Sequence, residues 1–119
     1  VALTRAFTRM VLDHALSNLE KDIWRQVIAA VTTAPGTQLS RAYARLDQKL
    51  AHVLVRRIER MQGRGRLPAA INAMHLGQAL FTLVNARFVQ FISDDACTQQ
   101  EIEAHLENDL VALFAVNAD

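Results

Sequence analysis

The side chains of this chain that are able to do chemistry are few and scattered. His14, His52, His75 and His105 fall on four different predicted helices, so no two share the one-turn spacing that holds a metal on a single helix. Cys97 is the one cysteine, which excludes an internal disulfide and a thiolate zinc cluster. It stands beside Asp94-Asp95 with no cation adjacent in sequence to activate the thiol. Gly63-Arg64-Gly65-Arg66, close to Arg56, Arg57 and Arg60, offers glycine N–H groups and positive charge to a phosphate. The same residues equally describe a helix C-cap with cations at the negative end of the helix dipole. There is no GxSxG, Walker loop or HExxH, and no set of acid, base and nucleophile can be assembled. The chain reads as a non-enzyme with no cofactor and no metal.

The remaining candidates are aromatic and thioether side chains. Phe7, Met10, Trp24, Tyr43, Met61, Met74, Phe81 and Phe88 lie on the inward phases of four predicted helices. Trp24 N–H, Tyr43 OH, His75 and Asn85 stand at their edges, and His14 is centred on an apolar face. Long, adaptable side chains with a few polar groups make either a packed core or a small-molecule pocket between helices, and periodicity leaves both open.

Helices must position these groups. The 119 residues suit one domain, and hydrophobic residues make up 51% of them. Only four Gly and two Pro occur, where average usage gives about 14 together; turn-dense β folds, collagen and low-complexity disorder are excluded. Apolar spacing predicts five helices and no strand-period segment. The first, about 2–16, aligns Leu3, Phe7, Met10, Val11 and His14. Ser17 and Glu20 form a capping box for the second, which runs to about Thr33 with Ile23, Trp24, Val27, Ile28 and Val31 on one stripe. After the break Ala34-Pro35-Gly36-Thr37, the third spans about 37–62 with Leu39, Tyr43, Leu46, Leu50, Leu54 and Met61 inward. Arg57 projects onto the same arc, either snorkelling or meeting an anionic ligand group. Arg41, Arg45, Lys49, Arg56, Glu59 and Arg60 face solvent.

Pro68 or the residues just after it open the fourth helix, about 69–93. This helix is apolar on two sides, with Met74, Gly77, Leu80, Phe81, Val84, Phe88, Phe91 and Ile92 on a wide arc and Leu76, Ala79, Leu83, Ala86 and Val89 on a second strip. Two apolar sides need two covers, and in so short a chain the second is expected from another copy. Thr98 and Glu101 cap the fifth helix, about 98–117, with Ile102, Leu106, Leu110, Leu113 and Phe114 on one face and Ala104, Val111 and Ala115 on a smaller strip.

Charge divides the chain: residues 1–66 carry +7 and residues 67–119 carry −6. Such asymmetry marks either a charged partner for one end or two surfaces of one bundle. The start, VALTRAFTRM, lacks the order of a signal peptide, and no apolar run is long enough to span a membrane, so the expectation is a cytoplasmic domain that does not engage a membrane.

The WRQVIAAV stretch, the break APGT, the long helix LSRAYARLDQKLAHVLVRRIERMQGRGRLP and the following AAINAMHLGQALFTLVNARFVQFISDD resemble the C-terminal regulatory domain of TetR/AcrR-family transcriptional repressors. The likeness runs over essentially the whole chain, with the junction at 54–80 its most recognisable part. It implies a five-helix antiparallel bundle that binds a small, mostly apolar effector. It also implies a homodimer in which the helices at 69–93 and 98–117 pair with those of a second subunit as a four-helix bundle. The helix at 2–16 would be the lever that effector binding moves. The family's N-terminal helix-turn-helix has no counterpart here, so residues 1–119 would be the single effector-binding half of a repressor, with operator DNA bound only through that other domain. The family's effector contacts do not transfer by motif. From inward phase, Trp24, Tyr43, Met74, Phe81 and Asn85 are the expected ligand-binding residues; Ala79, Ala86, Val89, Ala104, Val111 and Ala115 are the expected dimer contacts. Two readings compete: a structural helical interaction module without a ligand, and a nucleic-acid-binding module using the basic surface of residues 41–66, which lacks aromatic interleaving and a recognition helix.

Overall fold

The computed structural model describes residues 20–115, with side chains through Leu113. Among these residues the chain is all-helical, with four helices and no strand: α1 (Lys21–Thr33), α2 (Gln38–Gly63), α3 (Ala73–Ile92) and α4 (Gln99–Ala115). The expected helix at 2–16, with Phe7, Met10 and His14, lies outside the described residues, as do Ser17 and the side chains of Phe114 and Ala115. The five-helix count therefore becomes four among the described residues. None of the four is long and apolar enough to cross a membrane.

Local chemistry sets the helix ends. Thr37 caps α2, its hydroxyl oxygen accepting from Ser40 N–H at 3.1 Å and donating to Ala34 O; Gly36 turns the chain beforehand with φ +85°. At the other end of α2, Arg66 N–H donates to Met61 O and Gly65 N–H to Gln62 O, with Gly65 at φ +71°. Those two bonds form a Schellman motif, so the Gly-Arg-Gly-Arg segment is the C-cap of α2. Gln62 Nε2 braces the following loop by donating to Pro68 O and Ile71 O.

The fourth predicted helix starts later than Pro68. Residues 68–71 form a turn closed by Ile71 N–H on Pro68 O, and Asn72 Oδ1 then accepts from His75 N–H at 3.0 Å. A side-chain acceptor for the free N–H groups is what a helix start needs, and here Asn72 supplies it. Thr98 Oγ1 likewise accepts from Glu101 N–H at 3.1 Å, which starts α4 as expected.

The chain divides into two compact units, with boundaries inside α1 at Val27/Ile28 and inside α3 at Asn85/Ala86. In the unit of residues 28–85, the buried side chains are Leu54, Val55 and Ile58 of α2 and Leu80 and Val84 of α3. Here α2 and α3 approach closely: a Cβ built on buried Gly77 would lie 2.5 Å from Val55 Cγ2 and 3.1 Å from Val55 Cα and N. The expected inward row of α2 needs correction at its first turns, because Leu39 and Leu46 are exposed. No residue of α2 before Leu54 is fully buried; on those turns Tyr43, Asp47 and Leu50 are half-buried.

In the unit that holds residues 20–27 and 86–115, the core is Phe88, Phe91 and Ile92 of α3 with Ile102, Leu106 and Leu110 of α4. The helices are also tied by a two-bond ion pair, Arg87 Nε to Asp109 Oδ2 at 2.6 Å and Arg87 Nη2 to Asp109 Oδ1 at 2.8 Å. Leu113, expected on the same face as Leu110, is exposed near the end of α4, and Ile23 at the start of α1 is exposed too.

Candidate functional site

The richest arrangement of polar groups is at the start of α1, in the unit containing Trp24 and Phe88. Lys21 stands in the first turn of α1, where the dipole of its own helix disfavours a cation. Its ammonium instead reaches the end of α3 and the loop beyond, donating to Asp94 O at 2.7 Å and Cys97 O at 2.5 Å and lying 4.1 Å from the centroid of the Phe91 ring. One turn on, Arg25 Nη1 donates to Ile92 O at 2.7 Å and to Asp95 Oδ1 at 2.9 Å. Ile92 is the last residue of α3, so its carbonyl has no partner within the helix. The loop is shaped by Asp94, whose Oδ1 accepts from Ala96 N–H and whose carbonyl accepts from Cys97 N–H. Hydrogen bonding to Arg25, and then its charge, hold the Asp95 carboxyl below its ordinary range. A cation thus arrives at the Cys97 carbonyl although none is adjacent in sequence.

Trp24 lies between Lys21 and Arg25 on α1. Its ring meets Phe88 edge-on, with centroids 5.2 Å apart and planes at 89°, a favourable geometry for two π systems. The indole Nε1 is shut off from solvent and has no hydrogen-bond acceptor among the described residues. A buried N–H without an acceptor loses about 1–3 kcal/mol of desolvation free energy, so this is a costly arrangement.

The other expected ligand residues, Tyr43, Met74, Phe81 and Asn85, belong to the unit of residues 28–85. Tyr43, Phe81 and Asn85 are half-buried. Met74 is 49% exposed and does not point into a core: it is the second residue of α3, one turn before the buried row begins at Gly77. Burial raises the Tyr43 phenol to about 12, and Asp47, one turn along α2, adds to the shift. Asp47 is itself half-buried, and burial pushes its carboxyl above the ordinary range. The reading from phase missed Asp47; its signal was the i, i+4 spacing from Tyr43 on the inward arc.

Of the expected dimer contacts, Ala86, Ala104 and Val111 are exposed and Val89 is half-buried, and Ala79 in the other unit is exposed. The Ala115 side chain lies outside the described residues. His52, His75 and His105 are exposed and Arg57 is half-buried. No group of His, Cys, Asp and Glu able to hold a metal occurs among the described residues.

No protein-family model, curated protein or solved structure matches the chain.

Proposed function

We propose that this chain is the ligand-sensing and dimerising domain of a transcriptional regulator similar to the TetR/AcrR family. In this reading it binds a small, mostly apolar effector, performs no catalysis, works in the cytoplasm and reaches operator DNA only through a separate helix-turn-helix domain. The observation that carries the proposal is Trp24: an indole packed edge-on against Phe88 with its Nε1–H buried and lacking an acceptor among the described residues. In a packed core such a group is a cost, whereas a ligand with one acceptor atom on an apolar body satisfies it and gains orientation from it. Support for pairing comes from small apolar residues on open surface of two helices, Ala86 of α3 and Ala104 and Val111 of α4.

The test is a thermal-shift screen of apolar and aromatic compounds with and without a carbonyl or ether oxygen, read in parallel by the fluorescence of Trp24, the one tryptophan. A ligand of the folded state at 100-fold excess over its Kd stabilises by about 2.7 kcal/mol and shifts the Trp24 emission. Trp24→Phe keeps an aromatic ring, removes the N–H and weakens the oxygen-bearing ligands selectively. If no compound moves either signal, and Trp24→Ala simply unfolds the chain, a ligand-free structural role replaces the sensor. Sedimentation at micromolar concentration is expected to give roughly twice the 13.3 kDa of one chain, and a strictly monomeric particle removes the dimer from the proposal.

A further inference from the structure

We infer that the open side of α2 is a docking surface for an acidic amphipathic helix of a partner protein. Leu39, Leu46 and Val53 are 47%, 44% and 42% exposed and recur at intervals of seven residues. On a straight α-helix each such step lags by about 20°, the drift that a second helix follows when it coils alongside. From Leu39 to Val53 the row covers about 21 Å at 1.5 Å per residue, which is three layers of a helix–helix seam. Lys49 and Arg56 border the row on one side, each three residues after a row residue, and Arg60 occupies the next heptad position beyond Val53; all three are exposed. Among the described residues none of them pairs with an acid; Arg56 has only His52, its Nε donating to His52 Nε2 at 3.1 Å. Asp47 is on the half-buried side and Glu59 lies beyond the cations, so the exposed side of the row is bordered by positive charge.

This combination selects among occupants. Nucleic acid would use the cations and leave the apolar row bare. Packing α2 on α2 of a second copy would bring like charges together. An anionic bilayer would have to take up a row only one residue wide. A helix with leucines at heptad spacing and glutamates beside them covers the row and neutralises its border, as flanking charges do in coiled coils. The inference is independent of any ligand at Trp24 and of pairing through α3 and α4.

The experiment uses the full chain and a labelled synthetic peptide about three heptads long, with Leu at the seam positions and Glu at the flanking ones. A scrambled peptide of equal composition is the control, and binding is read by fluorescence anisotropy. The designed peptide is expected to bind at least about tenfold more tightly than the scramble, equivalent to about 1.4 kcal/mol, and less tightly as salt rises. Leu46→Ser and the double change Lys49→Glu with Arg60→Glu should each cost about the same factor while leaving the far-UV spectrum unchanged; if Leu46→Ser fails to fold, the charge reversal decides alone. Equal binding of both peptides, no saturable binding, or undiminished binding by the charge-reversed chain overturns the inference. So does tighter binding to phosphatidylserine vesicles or duplex DNA than to the peptide, or loss of the surface to self-association that Leu46→Ser abolishes.

Discussion

Replacing Gly77 by alanine tests the α2–α3 crossing, because two opposing effects set its sign. In a solvent-exposed helix interior the change would stabilise by about 0.8–1.0 kcal/mol through helix propensity. Here the new methyl would meet Val55 Cγ2 at 2.5 Å and Val55 Cα and N at 3.1 Å, where ordinary contact begins near 3.4 Å. The Val55 methyl cannot easily turn away, since β-branched side chains in helices hold one χ1 rotamer. The Cα and N atoms move only if α2 shifts as a whole. Overpacking of this kind costs about 1–3 kcal/mol, and obstruction by backbone belongs in the upper half of that range. The net expectation is a loss of about 1–2 kcal/mol after the propensity gain is deducted, read from urea unfolding followed by far-UV circular dichroism. Gly63→Ala is the internal control: a methyl there meets nothing within 4 Å, so the same substitution should be neutral or stabilise by up to about 1 kcal/mol. Val55→Ala combined with Gly77→Ala should recover part of the loss by removing the nearest atom. A Gly77→Ala chain as stable as the parent would refute the close crossing.

Three further outcomes follow from the geometry. Gly65→Ala forces a side chain into φ +71° and should cost about 1–2 kcal/mol, measured by the same urea titration. Arg87→Ala removes both bonds to Asp109, and because each side chain retains some exposure, 26% and 21%, the loss should be only about 1–2 kcal/mol; a double-mutant cycle with Asp109→Ala should show coupling. The Asp47 carboxyl is raised in the folded chain, so folding is penalised as pH climbs from its ordinary range through the raised value. Asp47→Asn should therefore stabilise at neutral pH, lose that advantage in acid, and bring Tyr43, the one tyrosine, down from about 12, as followed by its near-ultraviolet titration.

The legible parts of the sequence were those set by repeating local rules. On α3 the buried row Gly77, Leu80, Val84, Phe88, Phe91 and Ile92 matches the wide apolar arc nearly residue for residue, because the larger side chains of its two apolar strips share that arc. The breaks at Pro35-Gly36 and Gly63–Pro68 and the Thr98 cap were equally readable, since turn and cap chemistry is local. On α2, by contrast, the expected inward row is buried at Leu54 but exposed at Leu39 and Leu46, and the other buried residues are Val55 and Ile58; apolar spacing gives a direction around a helix but not how far along it a neighbour reaches. Pro68 suggested a helix start that Asn72 supplies. The contacts of Lys21 and Arg25 were invisible because most of their partners are main-chain carbonyls, which any residue offers. The buried Trp24 N–H was invisible for the related reason that a sequence does not display an acceptor that fails to arrive.

Lys21 and Arg25 grip the segment after α3 mainly by main-chain oxygens, those of Ile92, Asp94 and Cys97. A carbonyl is the same whatever side chain follows it, so this junction is insensitive to spelling and sensitive to counting. Side chains at Ser93, Ala96 and Cys97 are free to change without loosening the hold, whereas inserting or deleting one residue between Ile92 and Cys97 shifts Cys97 O against Ile92 O by more than 3 Å along the chain, so that Lys21 loses an acceptor while Arg25 keeps Ile92 O. Diversity introduced into this loop should accordingly be tolerated at fixed length, and a change of length should be felt at the start of α1, in the turn that carries Trp24.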